Sequence, residues 1–497
     1  MQMEKPAATG RGTRRDALTS IRGDGTQTAR GLRAVNNPAV GSGGSALGSG
    51  ILLLASVGLY AASLQYGYRD FVAPSFSYAG LGYRSPNPAS YAGMILLTAL
   101  VAALLPLRLR TPSDFVLWML FCLVGAPSIL IAQYNSKIPS GASVPTGLAV
   151  ALTMLTIRFG ALARPRVPEK LLARLSSEIV WIGLVAVAVI TYVAILLTSG
   201  ISVSWLAFDD VYSVRSDYMQ IYAALPLLGY LVPLVSNVIN PVLMARGLFS
   251  RRYLLLAIGG VGQYILYVTT GNKVILFSIP AIAGLTFLFR GDRNVKGRHL
   301  LLSISFVALG TVILDLISAS TLWTGLILRR FIIVPGALTA GYIYVFLGQP
   351  KTHFADSPLK WLKSPYGDLL PSFLVGIKFV GDPTTNANAS LFGHGFAAYG
   401  YVGMVIEGLA LVPVLWLLDT LAKGLPIKVA ALVLLMPSVA LAGASVFTSI
   451  LTHGLLFAAL VLAVLPREGW QRSSPRAGAP PLQPPSRHGG RPSKQAS

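Results

Sequence analysis

The sequence predicts an all-α, polytopic integral membrane protein with about twelve transmembrane helices, one re-entrant or interfacial segment and a large outer loop. Three observations predict it. Uncharged windows recur along the chain, among them Ile179 to Phe208, Tyr218 to Ala245 and Val429 to Pro466, and a bilayer core takes roughly 20 apolar residues per helix. The 497 residues are 54% hydrophobic with a mean hydropathy of +0.64, enough for a dozen crossings with little left for a separate globular domain. The basic residues, finally, alternate between sides as membrane loops require.

Residues 1–46 and 467–497 read as disordered, basic, cytoplasmic tails around a membrane domain of residues 47–466. The C-terminal tail is rich in proline. The first apolar run is followed by Tyr66, Gly67 and Tyr68 rather than a small-residue cleavage site, which predicts a retained helix and not a removed signal peptide. Successive spans are expected near 47–65, 91–107, 114–133, 144–163, 179–198, 219–243, 253–270, 274–289, 300–318, 396–418, 429–447 and 449–465. With both termini inside, 29 of the 40 Lys and Arg fall on the cytoplasmic side and 11 outside, the asymmetry of the positive-inside rule. Counting back from the C-terminal tail places residues 349–395 outside, where the ninth helix also ends. The apolar run Phe331 to Gln349 is therefore expected to re-enter or to lie at the outer surface, covered by protein. The competing reading is a miscounted hairpin at 429–465, with one tail outside.

Forty Lys and Arg against 18 Asp and Glu give +22, but their placement in tails and loops points to a membrane and not to nucleic acid. Cys122 is the single cysteine, so neither an intramolecular disulfide nor a thiolate metal cluster can form. No Walker A, Rossmann glycine or His-Glu-x-x-His pattern is present. Asp209 beside Asp210 is the one adjacent acidic pair, and it reads as a solvated helix flank and not as a metal site; no metal and no cofactor are expected. The aromatics of residues 66–90 read as an interfacial belt in preference to a sugar-stacking platform. The 47-residue stretch 349–395 is too long for an ordinary helix connection, and Trp361, Tyr366, Phe373 and Phe379 argue that it is folded.

Basic residues on the outer side run against the bias and are the more informative ones. Arg69, Arg215, Lys273, Arg329 and Arg330 all fall at an outer boundary, where each snorkels, pairs with a nearby acid such as Asp315, or meets an anion. Arginine's fork suits phosphate, and Lys273 would act as a point charge. His353 and His394 bracket the outer stretch, and each is either a structural histidine or an acceptor of a sugar-hydroxyl proton. Glu407, a few turns into an apolar helix, is a functional candidate or the partner of a buried cation.

The order Arg329, Arg330, Phe331, Ile332, Ile333, Val334, Pro335, then Tyr342, Tyr344 and Phe346, then the outer stretch, then Asn386, Ala387, Asn388, Ala389 and Gly395, Phe396, Ala397, Ala398, Tyr399, Gly400, Tyr401, Val402, Gly403 resembles the bacterial oligosaccharide repeat-unit polymerases of the O-antigen type. The motifs cover roughly residues 329–419. His394 stands where the family's acidic residue is expected and Ala398 where its second asparagine is. The resemblance implies glycosyl transfer at the outer face of the bacterial cytoplasmic membrane. In that reaction a glycan on undecaprenyl diphosphate passes to the non-reducing end of another lipid-linked repeat unit, building O-antigen, capsule or exopolysaccharide without a nucleotide. It also suggests a chain-length regulator and a flippase as partners. In that frame Arg329, Arg330 and Arg215 stabilise the leaving diphosphate, and His353, His394 or Glu407 serves as base or orients the acceptor. Asn386, Asn388, Lys273, Arg69 and Tyr399 bind substrate, although the asparagines equally suit a helix cap. The alternatives are a ligase of related architecture, a flippase or exporter of lipid-linked sugars, and a scaffold subunit of an envelope machine.

Overall fold

The structure, a computed structural model, describes residues 42–163, 165, 177–199, 225–290, 295–357, 363–468 and 470. Arg215 with Asp209, Asp210 and Asp217, Trp361, and nearly all of both tails lie outside the described residues. The chain divides into the units Met1–Ile51 and Leu52–Ser497, and the second carries everything that follows.

The fold is all-helical, with two isolated bridges and no strand among the described residues. Nine helices among them are long and apolar enough to cross a membrane: Gly48–Ala79, Pro112–Tyr134, Ser140–Leu162, Glu178–Thr198, Leu228–Ser250, Tyr253–Thr270, Gly297–Ser318, Thr324–Phe346 and Leu391–Leu421. Shorter apolar helices include Pro88–Leu104, Lys273–Leu288, Ile427–Gly443 and Leu455–Val464. This is a polytopic membrane protein. Each window read from the sequence overlaps one of these helices, with shifted ends. The window 219–243 continues as helix to Ser250, and the window 449–465 divides into Val446–Leu451 and Leu455–Val464.

Pro112–Tyr134 is the hub. It is apolar throughout, with buried polar Ser113, Asp114, Ser128 and Gln133 its main exceptions, and every one of its residues is buried, as expected of a helix that is apolar on all faces. A capping box starts it, Thr111 accepting from Asp114 N and the Asp114 carboxylate from Thr111 N, a device that contributes about 1 kcal/mol. Glu178–Thr198, by contrast, leaves Ile182, Leu196 and Leu197 exposed, a surface suited to lipid.

Helices carry proline without breaking in two ways: Pro145, Pro280, Pro413 and Pro437 sit inside ordinary α-helix, and four others adjoin a widened stretch. A proline at position i cannot donate to the carbonyl of i−4 and its ring crowds that group. The chain responds by widening to i→i+5 pairing over Tyr68–Val72, Phe121–Gly125, Val235–Ile239 and Thr324–Ile333. These stretches surround the i−4 residues of Pro74, Pro127, Pro241 and Pro335. The sequence, read by hydropathy, gives no hint of the widening.

Loops gather at two ends. At the basic end Leu109 N donates to Val295 O at 3.0 Å, Ser113 binds the Asp419 carboxylate, and Arg467 Nη2 donates to Leu421 O at 2.7 Å. There too the Arg246 guanidinium lies 4.8 Å from the Trp470 ring and 5.7 Å from that of Trp181. At the other end Ser136 N donates to Gly82 O at 2.9 Å and Lys137 Nζ to Phe379 O at 2.8 Å. The aromatics expected as an interfacial belt are largely packed inside this end: Tyr68 is buried, 5.1 Å from the Tyr134 ring, and only Tyr78 and Tyr66 among the tyrosines of 66–83 are exposed.

Thr324–Phe346 is long enough to cross, yet both of its ends meet the second set of loops. Its first turn approaches Phe76 at Gly325, and Gly341 approaches Phe379, which itself lies against Gly80. Asp315, fully buried, starts the helix by accepting from Trp323 N at 2.9 Å and Thr324 N at 2.7 Å. The acid therefore serves as a helix cap. Midway, Gly336 lets the helix touch the hub: a Cβ there would lie 2.6 Å from Pro127 Cβ and 2.9 Å from its carbonyl carbon. Gly336→Ala is expected to lower stability by about 1 to 3 kcal/mol through overpacking, read as a lower melting temperature in detergent; an unchanged melting temperature would show that this contact yields.

Candidate functional site

Leu391–Leu421 is two helices joined by a reversal. Tyr399 (φ −147°, ψ 29°) and Gly400 (φ 65°, ψ −148°) leave helical geometry, and glycine is the residue that tolerates the second conformation. The two halves fold back so closely that a Cβ on Gly395 would collide with the Gly403 carbonyl, and one on Gly403 with that of Gly395. Along a straight helix His394 and Glu407 would stand roughly 20 Å apart. Here His394 Nδ1 is 2.8 Å from Glu407 Oε2.

A helix ending inside a bundle exposes its last carbonyls. Residues 351–357 supply the missing donors, Thr352 N bonding to Ala397 O at 2.9 Å and His353 N to Ala398 O at 3.2 Å. To do so the loop turns through two consecutive non-glycine residues at positive φ, His353 at 54° and Phe354 at 61°. Each costs of order 1 kcal/mol or more, and such strain collects at functional sites. The turn buries Phe354 against the rings of His394, Tyr399 and Phe447 at 5.5 to 5.8 Å.

The same turn delivers Asp356, whose Oδ2 lies 3.2 Å from His394 Nε2. An imidazole with a carboxylate on each nitrogen is placed to donate from both. Glu407 Oε1 accepts from Val446 N at 2.8 Å, at the start of the short helix Val446–Leu451. Burial raises the Asp356 pKa, but the hydrogen bond and charge of His394 outweigh it and hold this carboxyl below the usual carboxylate range.

Asp356 Oδ1 is buried and has no hydrogen-bond partner. Eight buried side-chain polar atoms among the described residues are in that position, and five of them, on Thr352, Asp356, Ser390, Tyr401 and Ser449, belong to the segments that meet here. Each such atom costs about 1 to 3 kcal/mol, so their concentration sets this junction apart from the rest of the described core.

Of the residues singled out from the sequence, His394, Glu407, His353 and Tyr399 come together. His353 is exposed and stacks on Tyr399 at 5.2 Å. Arg329 is placed by different neighbours: its Nε donates to Gly325 O at 3.2 Å and its guanidinium lies 4.0 Å from the Phe76 ring, with Arg330 half-buried beside it. Arg69 is exposed and paired with Asp70 at 2.8 Å. Lys273 is buried in the first turn of Lys273–Leu288, behind the N-cap Asn272. Asn386 and Asn388 are exposed, while the alanines between and after them are buried and Tyr342 Oη donates to Ala387 O at 3.2 Å. They do not cap the following helix, whose N-cap is Ser390. Asp356 is the residue that sequence reasoning missed. It is one of three acids in the stretch, with Asp368 and Asp382, and no local pattern distinguishes it.

The sign of the Asp356 shift fixes a pH dependence. A carboxyl whose folded pKa is depressed adds stability above its unfolded pKa, about 3.9, and that stability is lost as pH falls through the lower folded value. The wild-type melting temperature should therefore drop on acidification below that range more steeply than that of Asp356→Asn, and parallel profiles would remove the pairing. Glu407→Leu, which strands a buried partner, should cost roughly 3 to 5 kcal/mol, read in the same melts. No protein-family model, no curated protein and no solved structure matches this chain, so the chemistry of the site has to be read from its own side chains.

Proposed function

We propose that this chain is a membrane glycosyltransferase of the repeat-unit polymerase type, acting at the outer face of a bacterial cytoplasmic membrane. The observation that carries the reading is the Asp356–His394–Glu407 array, built around the Tyr399–Gly400 break inside the Gly395 to Gly403 segment that, with the Asn-Ala-Asn-Ala stretch before it, resembles that family. An unpartnered buried carboxylate oxygen is the group that polymerisation needs to take a proton from an acceptor hydroxyl. Asp356 is the base, His394 keeps it ionised and oriented, and Glu407 positions His394. The acceptor oxygen bonds to the anomeric carbon of the donor sugar as its bond to the diphosphate oxygen breaks. The proton passes to Asp356 and the electron pair leaves with the diphosphate. Arg329 and Arg330 hold a lipid-linked diphosphate, with Arg215 assigned the same task from the sequence, and preorganised cations of this kind contribute several kcal/mol in a water-poor site.

In topology the proposal is twelve crossings with both termini cytoplasmic. Thr324–Phe346 lies obliquely with both of its ends toward the outer loops, and residues 349–395 lie outside. The grouping of Arg108, Arg110, Arg246, Lys296, Lys423 and Arg467 at one end supports the positive-inside assignment, as does the meeting of both ends of Thr324–Phe346 with the opposite loops. A carrier would set its charges along a path near the midplane. Glu407, the deep carboxylate, is instead committed to His394 and to Val446 N.

Purified protein given lipid-linked repeat units, without nucleotide or ion gradient, should produce a ladder of glycan lengths. Asp356→Asn should slow it by about a hundredfold or more with His353→Ala nearly normal, whereas full activity in Asp356→Asn would overturn the assignment of the base. Arg330→Ala should abolish the ladder and Arg330→Lys restore it only in part, since a bidentate fork is lost. Because Cys122 is buried, single cysteines at Asn386 or Asn388 should react with an impermeant maleimide added to intact spheroplasts, and labelling only after lysis would invert the topology.

A further inference from the structure

A pocket of about 530 Å³ opens at the basic end of the second unit. It lies at the end of the 401–421 half-helix remote from the carboxylate array. Arg110 and Lys423 stand at its rim, and both side chains are exposed. Arg467 is adjacent, its Nε donating to Lys423 O at 3.2 Å. Helices Pro112–Tyr134 and Ile427–Gly443 both begin at its wall, so the positive ends of two helix dipoles face it. The one acid among the lining residues, Asp419, is engaged by Ser113 N at 2.8 Å and Ser113 Oγ at 2.7 Å, which offsets its charge locally. Of the remaining wall, Thr111 and Thr420 are polar, and Leu425, Ile427 and Ala430 form an apolar side. Trp416 is fixed at the rim by its Nε1 bond to Gly160 O at 3.0 Å, the placement of an aromatic at a membrane interface.

We propose that this pocket binds the phosphodiester headgroup of an anionic phospholipid, with Arg110 and Lys423 on the phosphate and the acyl chains leaving past Trp416. A cationic rim over an apolar wall, between transmembrane helices, matches a lipid headgroup in size and in polarity. A free phosphate would use the rim and leave the apolar wall idle. The site is distinct from the proposed transfer chemistry and stands without it.

The test uses the full-length protein in nanodiscs of phosphatidylglycerol or of phosphatidylcholine, with native mass spectrometry of the delipidated protein. Wild type should melt higher in phosphatidylglycerol and retain that lipid. Arg110→Gln with Lys423→Gln should lose both effects, each cation contributing about fivefold in affinity, while melting as wild type does in phosphatidylcholine, which controls for folding. Arg110→Lys should keep most of the effect. Equal melting of the wild type in the two lipids, or a double variant that still retains phosphatidylglycerol, would overturn the proposal. Inorganic phosphate reproducing the shift in phosphatidylcholine would assign the site to a free anion and overturn the lipid assignment.

Discussion

Hydrocarbon offers no hydrogen-bond partner to an exposed peptide group, and in this chain that constraint places side chains as well as helices. At four of its prolines, Pro74, Pro127, Pro241 and Pro335, the helix widens around the carbonyl that the proline leaves without a donor. Where Thr324–Phe346 begins, the first N–H groups are met by Asp315. Where the 391–421 segment breaks, its open carbonyls are met by Thr352 and His353. Where Val446 starts a helix, its N–H is met by Glu407. The last two solutions are also the walls of the site. A loop recruited to cap a broken helix carries Asp356 in with it, and a carboxylate serving a helix start is left one oxygen free to hold His394.

That sharing also explains how a carboxylate is tolerated at Glu407. Alone and buried, a carboxylate is costly. With an imidazole on one oxygen and a helix N-terminus on the other, it is compensated twice. His394 in turn is held from both sides, so its ring cannot rotate without breaking a bond to a carboxylate. The array is held rigidly, and its remaining acceptor, Asp356 Oδ1, lies two residues beyond the strained pair His353 and Phe354.

Much of this was legible in the sequence, and what was not has a common cause. Hydropathy located the helices because burial in lipid is a local, additive property of a 20-residue window. The arithmetic of sides argues against a simple crossing at 331–349, whereas length and composition alone make Thr324–Phe346 a candidate span. His394 and Glu407 were visible as anomalies, one replacing an expected acid and the other a charge in an apolar helix. Their pairing was invisible, because thirteen residues of apparently continuous helix conceal the reversal that Gly400 permits. Asp356 was invisible for the same reason, since its meaning arises only when residues 351–357 dock on Ala397 and Ala398. The tyrosines of 66–83 looked interfacial because their composition is that of a belt, whereas Tyr68 and Tyr83 pack on Tyr134.

Thr324–Phe346 relates the two halves of the proposed chemistry. Arg330 lies in its widened first part, and Tyr342, near its end, donates to Ala387 O and packs on Gly393 next to His394. Twelve residues of helix separate them by roughly 18 Å. A small sugar phosphate engaging Asp356 would leave the arginines unused, and a lipid diphosphate held only at the arginines would leave the carboxylate array without a substrate. One molecule satisfies both when it is extended, anionic at one end and rich in hydroxyls at the other. A lipid-linked oligosaccharide, the substrate class proposed above, has that form, and on that proposal its length, rather than any single contact, joins the arginine pair and the buried carboxylates.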